Sequence, residues 1–186
     1  MAQNILKASE VNVNDLKFSQ PKKLPMGGNK VYVNTDSGSL YVQTPKVNVL
    51  WDTKFYQGDN EGCGNYPVEF SLSDLQNNPT MKAFYDMLVS FDDHLVELAY
   101  QNRKDWFGAK YAKHTRETIE SLYTSMVKVS IDRDTGEPNG KFPPRFGFKI
   151  NMWEGKHQCK VYNDSKQLFE IDDKSSSDYK SLKDDV

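Results

Sequence analysis

The sequence has few of the features that mark a secreted, membrane-spanning or disulfide-stabilised protein. Only two of its 186 residues are cysteines, Cys63 and Cys159, and they lie in no metal or redox spacing. No apolar run approaches the roughly 20 residues of a membrane-spanning helix. The first residues lack the basic, apolar and small-residue order of a signal peptide. We therefore expect an intracellular protein of a reducing compartment, with no membrane partner.

Motifs for catalysis and metal binding are also missing. No glycine-rich segment has the spacing of a phosphate-binding loop. The segment from Asp132 resembles a calcium loop, but Gly136 comes one position early and Pro143 stands where the bidentate Glu belongs. The three histidines lie far apart, with no metal spacing among them. The sequence therefore predicts a binding protein rather than an enzyme, and it predicts no cofactor.

The net charge of −2 conceals a strong segregation of charge along the chain. Residues 17–56 hold six Lys and Arg against two Asp and Glu, whereas residues 57–100 hold one against eight. Residues 101–116 and 141–162 each hold five against one. Such blocks can form basic surfaces on a protein whose total charge is near neutral, although segregation of this kind also arises by chance.

Two periodicities divide the chain into strands and helices. Alternating apolar residues predict strands near residues 30–34, 40–43, 47–51, 68–72, 127–131, 146–150 and 159–161, and a last one near 168–171. From Met81 to Leu98 a three-and-four spacing predicts an amphipathic helix, with Asn78 as its cap and Pro79 at its first position. A shorter helix is predicted near residues 119–126, and a hairpin connection at residues 153–156.

Strands, then helices, then strands favour a mainly β fold with a helical insertion. This order fits an OB-fold-like Greek-key barrel, with an α+β sandwich as the alternative, because sequence order cannot show that a barrel closes. We predict an N-terminal arm over residues 1–28 and an OB-like nucleic-acid-binding domain over residues 29–171. The helical insertion spans residues 79–126, and residues 172–186 form a mobile acidic C-terminal tail.

The strands place cations and tyrosines opposite their apolar side chains, because successive side chains alternate between faces. Phe146 and Phe148 are thereby predicted to lie in the core. The opposite, outward set comprises Lys30, Tyr32, Tyr41, Lys46, Lys128, Arg145, Lys149, Lys160 and Tyr162. Cations attract phosphates, and unpaired bases stack on aromatic rings for roughly 1–3 kcal/mol each. The pattern predicts single-stranded nucleic acid as the ligand, although polar residues are also ordinary on an outward strand face.

Two further clusters combine cations with aromatic rings. The first follows the long helix, and its candidate contacts are Arg103, Lys104, Trp106 and Lys110. Alternatively, Trp106 or Phe107 simply fills the core at the end of that helix. The second is the loop over residues 132–144, where Lys141 and Phe142 are candidate contacts and two prolines stiffen the backbone. We expect this loop to close over the ligand, with a plain turn as the alternative.

Three segments together resemble a known family. They are YVQTPK at residues 41–46, AYQN with the following WFG at residues 99–108, and FPPRFGFK at residues 142–149. Their order and separations resemble the single-stranded-DNA-binding proteins of nucleocytoplasmic large DNA viruses, the poxvirus and asfarvirus type, over about residues 28–165. The resemblance implies an OB-like fold, cooperative coating of single strands and no cofactor. It points to Lys46, Trp106 and Arg145 as DNA contacts.

The sequence thus predicts a sequence-tolerant single-stranded-DNA-binding protein that supports viral DNA replication, recombination or repair. RNA is left open as a ligand. Expected partners are further copies along the strand and replication proteins bound through the C-terminal tail, in the host cytoplasm or nucleus at sites of viral replication. The alternative is a viral structural or assembly protein that binds another protein through its outward sheet face.

Overall fold

The structure, a computed structural model, describes residues 4–25, 27–51, 55–58, 61–162, 165–166 and 168–169. These residues form a mixed α/β protein with several small sheets and three α-helices. In this part of the chain, no helix has the length and apolar character needed to cross a membrane. The helices are α1 (Pro79–Gln101), α2 (Arg103–Phe107) and α3 (Arg116–Leu122).

The strands are mostly short. Those that precede the helices are β1 (Ile5–Lys7), β2 (Lys17–Phe18), β3 (Lys22–Lys23), β4 (Asn29–Lys30), β5 (Val33–Thr35), β6 (Gly38–Ser39), β7 (Tyr41–Gln43), β8 (Tyr56–Gln57) and β9 (Gly64–Ser71). Those that follow the helices are β10 (Val127–Lys128), β11 (Arg145–Trp153), β12 (Lys156–His157), β13 (Val161–Tyr162) and β14 (Leu168–Phe169). Among the strands of the described residues, only β9 and β11 are longer than three residues.

The chain forms two compact units, and each unit is built from two separate stretches of sequence. Unit 1 combines Met1–Pro45 with Asp74–Val127. Unit 2 combines Lys46–Ser73 with Lys128–Val186. The predicted single domain over residues 29–171 stays a prediction, and the predicted tail over residues 172–186 lies outside the described residues.

Unit 1 is organised by α1, which the three-and-four spacing predicted. The helix buries an apolar stripe that includes Met81, Phe84 and Leu88. The side chain of Asn78 accepts a hydrogen bond from the backbone N–H of Met81 at 3.0 Å, and Pro79 occupies the first turn. The predicted cap is confirmed, because an Asn side chain satisfies a backbone donor that has no partner within the helix.

The segment predicted as an N-terminal arm is integrated into unit 1 wherever the structure describes it. β1 pairs in parallel with β7, and β2 pairs with β5 in the sheet β2-β5-β6. Ala8, in a short 3-10 turn after β1, is buried, and this turn contacts α1. Where the structure describes it, this segment therefore pairs with strands of unit 1, and the prediction of an N-terminal arm over residues 1–28 stays a prediction. The short pairings of this segment leave no clear period in the sequence.

A buried carboxylate determines where α3 ends. Asp92 on α1 accepts hydrogen bonds from the Tyr123 hydroxyl at 2.6 Å, from the backbone N–H of Met126 at 3.1 Å and from the Ser125 hydroxyl. Burial, together with the neighbouring carboxylate, raises the pKa of Tyr123. These bonds hold residues 123–126 in a non-helical path, so the helix ends at Leu122 rather than at the predicted residue 126.

Unit 2 is built on a sheet with the strand order β10-β11-β9-β8, and β12 pairs with the end of β11. β9 and β11 are antiparallel and pair continuously from Arg145 opposite Ser71 to Met152 opposite Gly64. A two-residue turn, Glu154 and Gly155, joins β11 to β12. Both turn residues have positive φ, 51° and 69°, as a type I′ hairpin requires. The predicted hairpin connection is confirmed.

Taken together, the strands of the described residues form five separate sheets and no closed barrel. The helices fall between β9 and β10, so a β-rich chain with a helical insertion is compatible with the observed order. The predicted strands near residues 40–43, 68–72 and 146–150 are confirmed as β7, β9 and β11. The predicted strand near residues 47–51 is wrong, because it is reduced to a single bridge between Val49 and Phe70.

Candidate nucleic-acid interface

The two faces of the unit 2 sheet differ in chemistry, and the continuous β9–β11 register defines them. Phe146, Phe148 and Ile150 stand opposite Phe70, Val68 and Tyr66, and we call this the inner face. Arg145, Gly147 and Lys149 stand opposite Ser71, Glu69 and Pro67, and we call this the outer face. Tyr66, Val68, Phe70 and Ile150 are all at least nine-tenths buried. The alternation predicted for β11 is therefore correct.

The outer face extends beyond these positions and carries more aromatic residues than the sequence indicated. Trp153 lies on it at the end of β11, opposite Lys156, and Tyr56 lies on it through its pairing with Asn65. Trp153 is 56% exposed and Tyr56 is 59% exposed. The cations of the outer face are Lys128, Arg145, Lys149 and Lys156. Exposed rings and cations thus share one sheet surface.

Glu69 is the carboxylate at the centre of the outer face, and three donors converge on it. Lys128 Nζ lies 2.5 Å from one carboxylate oxygen, and Arg145 Nη1 lies 3.1 Å from the other. The Trp51 indole N–H donates to the same carboxylate at 3.4 Å. The hydrogen bond from Lys128, reinforced by the charge of Arg145, lowers the pKa of Glu69. Glu69 therefore stays ionised and positions two cations and one ring.

Gly147 makes this arrangement sterically feasible. It stands directly opposite Glu69, and the strand order places β11 between β9 and β10. To reach Lys128 on β10, the Glu69 side chain must cross β11. A Cβ atom on Gly147 would lie 3.0 Å from Glu69 Cγ and 3.1 Å from the Val68 carbonyl oxygen. The absence of a side chain at position 147 leaves the path open.

Trp51 is placed differently from the sequence expectation, which put it on the apolar side with Val47 and Val49. Leu50 N–H donates to the Glu69 carbonyl at 2.9 Å, but the chain bends at Trp51 and the alternation ends there. The indole consequently lies beside the Glu69 carboxylate and is 54% exposed. Trp51 thus joins the outer face.

Phe146 and Phe148 lie on the inner face as predicted, but they are less buried than predicted. Phe146 is half-buried, and Phe148 is 45% exposed although its ring centroid lies 5.6 Å from that of Phe70. On the side of β11 away from β9, β10 contributes only two residues. A short neighbouring strand gives little cover to a large side chain in the middle of β11.

The loop that precedes β11 is structured. Ile131 and Pro138 form an antiparallel bridge, and two backbone N–H groups bond to the Asp132 carboxylate and lower its pKa. The following segment lines a cavity of about 380 Å³ that includes Lys141 and Phe142. Phe142 is 63% exposed, and Lys141 Nζ lies 5.5 Å from its ring centroid. This geometry supplies one more exposed ring with an adjacent cation.

In unit 1 two residues of the predicted cluster, Arg103 and Trp106, are used for packing, whereas Lys104 and Lys110 are exposed. The Arg103 guanidinium donates to the Tyr100 carbonyl at 2.6 Å and to the Ala112 carbonyl at 3.0 Å. The ring of Trp106 is half-buried, with its centroid 6.2 Å from that of Phe18. These groups satisfy helix-end carbonyls and fill space between elements. The alternative that Trp106 fills the core accounts for its contacts.

The fourteen predicted contacts are divided between the units. Lys30, Tyr32, Tyr41, Arg103, Lys104, Trp106 and Lys110 belong to unit 1, and Lys46, Lys141, Phe142, Arg145, Lys149, Lys160 and Tyr162 belong to unit 2. Of these, the strand register places Arg145 and Lys149 on the outer face. Tyr162 lies in the separate β13–β14 sheet and is 50% exposed. As a set, the fourteen residues stay a prediction.

Sequence reasoning missed four residues of the outer face, Trp51, Tyr56, Trp153 and Lys156. It recognised Lys128 as outward but did not include it among the candidate contacts. Continuing the alternation from Arg145 by two-residue steps reaches Trp153, so the signal for that ring was present in the sequence. Nothing in the sequence signalled Tyr56, because β8 is only two residues long.

No protein-family model, curated protein or solved structure matches the chain, so its relatives give no indication of what this surface binds. Residues 4–162, where the structure describes them, contain no group of three His, Cys, Asp or Glu side chains arranged to hold a metal ion. The outer face itself offers ammonium and guanidinium groups for anions and flat rings for stacking. This chemistry suits a ligand that has both negative charge and exposed aromatic faces.

Proposed function

We propose that the outer face of unit 2 binds single-stranded nucleic acid, and that DNA is its ligand. The observation that carries the proposal is the mixture on one sheet surface of exposed rings and cations. Trp51, Tyr56 and Trp153 are each more than half exposed, and the same face carries four cations, two of which pair with the Glu69 carboxylate. Unpaired bases stack on rings without regard to sequence, and phosphates bind the cations.

Two finer parts of the proposal have their own support. An OB-like plan is supported by β9 and β11, which precede and follow the helical segment and pair with one another, and binding on a sheet face does not require a closed barrel. A role in viral DNA replication, recombination or repair, in the host cell, rests on the family resemblance of three segments. Self-association along the strand belongs to the same proposal.

Titration of the full chain against a single-stranded oligonucleotide and its duplex, by fluorescence anisotropy at several salt concentrations, tests the proposal. We expect tighter binding to the single strand, because duplex bases cannot stack on the rings. The logarithm of affinity should fall with the logarithm of salt by about 0.7 for each phosphate contacted. Equal affinity for duplex would contradict the proposal. Absence of binding at low salt would favour a protein partner on the outer face.

Two residues of β11 form a matched pair for locating the site. Trp153 and Phe148 are similarly exposed on opposite faces of the same strand. Trp153→Ala should weaken single-strand binding by about 1–3 kcal/mol at every salt concentration, because stacking releases no counterions. Phe148→Ala should leave affinity unchanged and lower thermal stability, since the ring packs on Phe70. If the two variants bind equally well, the ligand does not use the outer face.

A further inference from the structure

Unit 1 contains a second cationic surface, on the β3–β4 hairpin, that is separate from the outer face. In the hairpin Lys22 stands directly opposite Lys30, and Lys23 stands opposite Asn29. All three lysines are exposed. Residues directly opposite in an antiparallel pair have Cβ atoms about 5 Å apart, so Lys22 and Lys30 bring two positive charges close together on one face.

This lysine pair has no counter-charge among the described residues. Some cations of unit 1 do have carboxylate partners: Lys17 pairs with Asp36, Lys82 with Asp86, and Arg116 with Glu97 and Glu120. The described carboxylates form no ion pair with Lys22 or Lys30. Like charges directly opposite each other destabilise a strand pair. An anion bound between them would remove that repulsion.

Tyr32 stands beside the pair and is held in place by backbone hydrogen bonds. Its N–H donates to the Ser19 hydroxyl at 2.9 Å, and its carbonyl accepts from the Ser19 N–H at 2.9 Å. Lys30 Nζ lies 4.7 Å from the centroid of the Tyr32 ring, which is 45% exposed. A cation and an exposed ring therefore lie side by side.

The opposite face of the hairpin is anchored within unit 1. Asn29 Nδ2 donates to the Trp106 carbonyl at 2.6 Å, and Trp106 packs on Phe18. Gly27 and Gly28, both with positive φ, lie in the connection just before β4. Because Asn29 and Lys30 are adjacent and point to opposite faces, anchoring Asn29 leaves Lys30 facing away from α2. The lysine pair is thus presented by a fixed support.

From this geometry we infer that Lys22, Lys30 and Tyr32 form a second anion-binding site, whose ligand is the phosphodiester backbone of a nucleic-acid strand. The two ammonium groups would bind phosphate oxygens, and the ring of Tyr32 would lie against an adjoining sugar or base. The site is independent of the outer face, and each can exist without the other. The protein would then contact nucleic acid through both of its units.

The test compares two double variants of the full chain that remove the same charge from unit 1. Lys22→Gln with Lys30→Gln disrupts the pair, and Lys7→Gln with Lys113→Gln changes two exposed lysines elsewhere in unit 1. Binding of a short oligothymidylate is measured by anisotropy over a range of salt. We expect the first variant to reduce the salt slope by about 1.4, which corresponds to two phosphate contacts. The second should leave it nearly unchanged.

Measurements of melting temperature and of NMR amide shifts show whether a loss of binding comes from the lysine pair itself. The first variant should melt no lower than the native chain, because a like-charge pair is removed, and Lys22→Arg with Lys30→Arg should restore binding. Backbone amide resonances of Lys22, Lys30 and Tyr32 should shift with the oligonucleotide. The inference is overturned if these resonances stay fixed or if the two Gln variants bind alike. Failure of Trp153→Ala to weaken binding would instead count against the outer face alone.

Discussion

The Arg103–Lys110 segment of unit 1 and the outer face of unit 2 have similar residues and use them differently. In unit 1 the guanidinium of Arg103 bonds to two backbone carbonyls, and Trp106 is half-buried against Phe18. In unit 2 Trp153 and its neighbouring cations face solvent. A cluster of cations and rings in a sequence therefore does not by itself indicate a binding surface. The surrounding contacts decide whether it stabilises the fold or is free for a ligand.

The same contrast holds for the carboxylate that organises each unit. Asp92 in unit 1 is buried and accepts hydrogen bonds from uncharged donors, the Tyr123 and Ser125 hydroxyls and a backbone N–H. Glu69 in unit 2 lies near the surface and binds two cations. The first arrangement fixes the chain path, and the second fixes positive charges where a ligand can reach them.

The largest expected effect is on Asp92. Asp92→Asn should destabilise the protein by about 3 kcal/mol, because the amide group would turn a donor toward donors and leave buried groups unsatisfied. The neighbouring exposed residue gives the control, since Asp93→Asn should change stability by less than about 0.5 kcal/mol. Urea unfolding followed by circular dichroism measures both. Equal stabilities would mean that Asp92 does not hold residues 123–126.

A smaller difference in stability should distinguish truncation of Trp106 from truncation of Trp153. Trp106→Ala should cost about 2 kcal/mol of stability, less than truncation of a fully buried tryptophan, because its ring is only half-buried. Trp153→Ala should change the free energy of unfolding by less than about 0.5 kcal/mol. Thermal unfolding monitored by circular dichroism gives the comparison. If Trp153→Ala destabilised the protein more than Trp106→Ala, the proposed contrast between a packed ring in unit 1 and an exposed ring in unit 2 would be wrong.

The smallest effect concerns Glu69 and depends on pH. Its pKa is lower in the folded protein than the ordinary value of 4.5. The ionised carboxylate therefore contributes stability above that value, and the contribution is lost as pH falls through the folded pKa. At neutral pH Glu69→Gln should cost about 1 kcal/mol. The gap between variant and native melting temperatures should narrow below about pH 4.5, and a gap that stayed constant would show that Glu69 does not act through its charge.

Local patterns predicted the parts of the fold that local forces determine. The apolar spacing of α1, its Asn78 cap and the alternation of β11 are all properties of adjacent residues, and each was predicted from them. The bend that turns Trp51 toward Glu69, and the packing of Trp106 on Phe18, depend on residues distant in sequence. No period in the sequence records such contacts, so the outer face was only partly recognised.

The pairing of β9 with β11 also has a consequence for how the protein folds. Its partners are 74 positions apart at Ser71 and Arg145 and 88 positions apart at Gly64 and Met152. Most of the intervening chain, Asp74–Val127, belongs to unit 1. Closing so long a loop costs conformational entropy before any contact compensates for it, and contacts of high sequence separation slow folding. We expect the helices to form early and shorten the effective loop, so that the outer face is among the last surfaces to assemble.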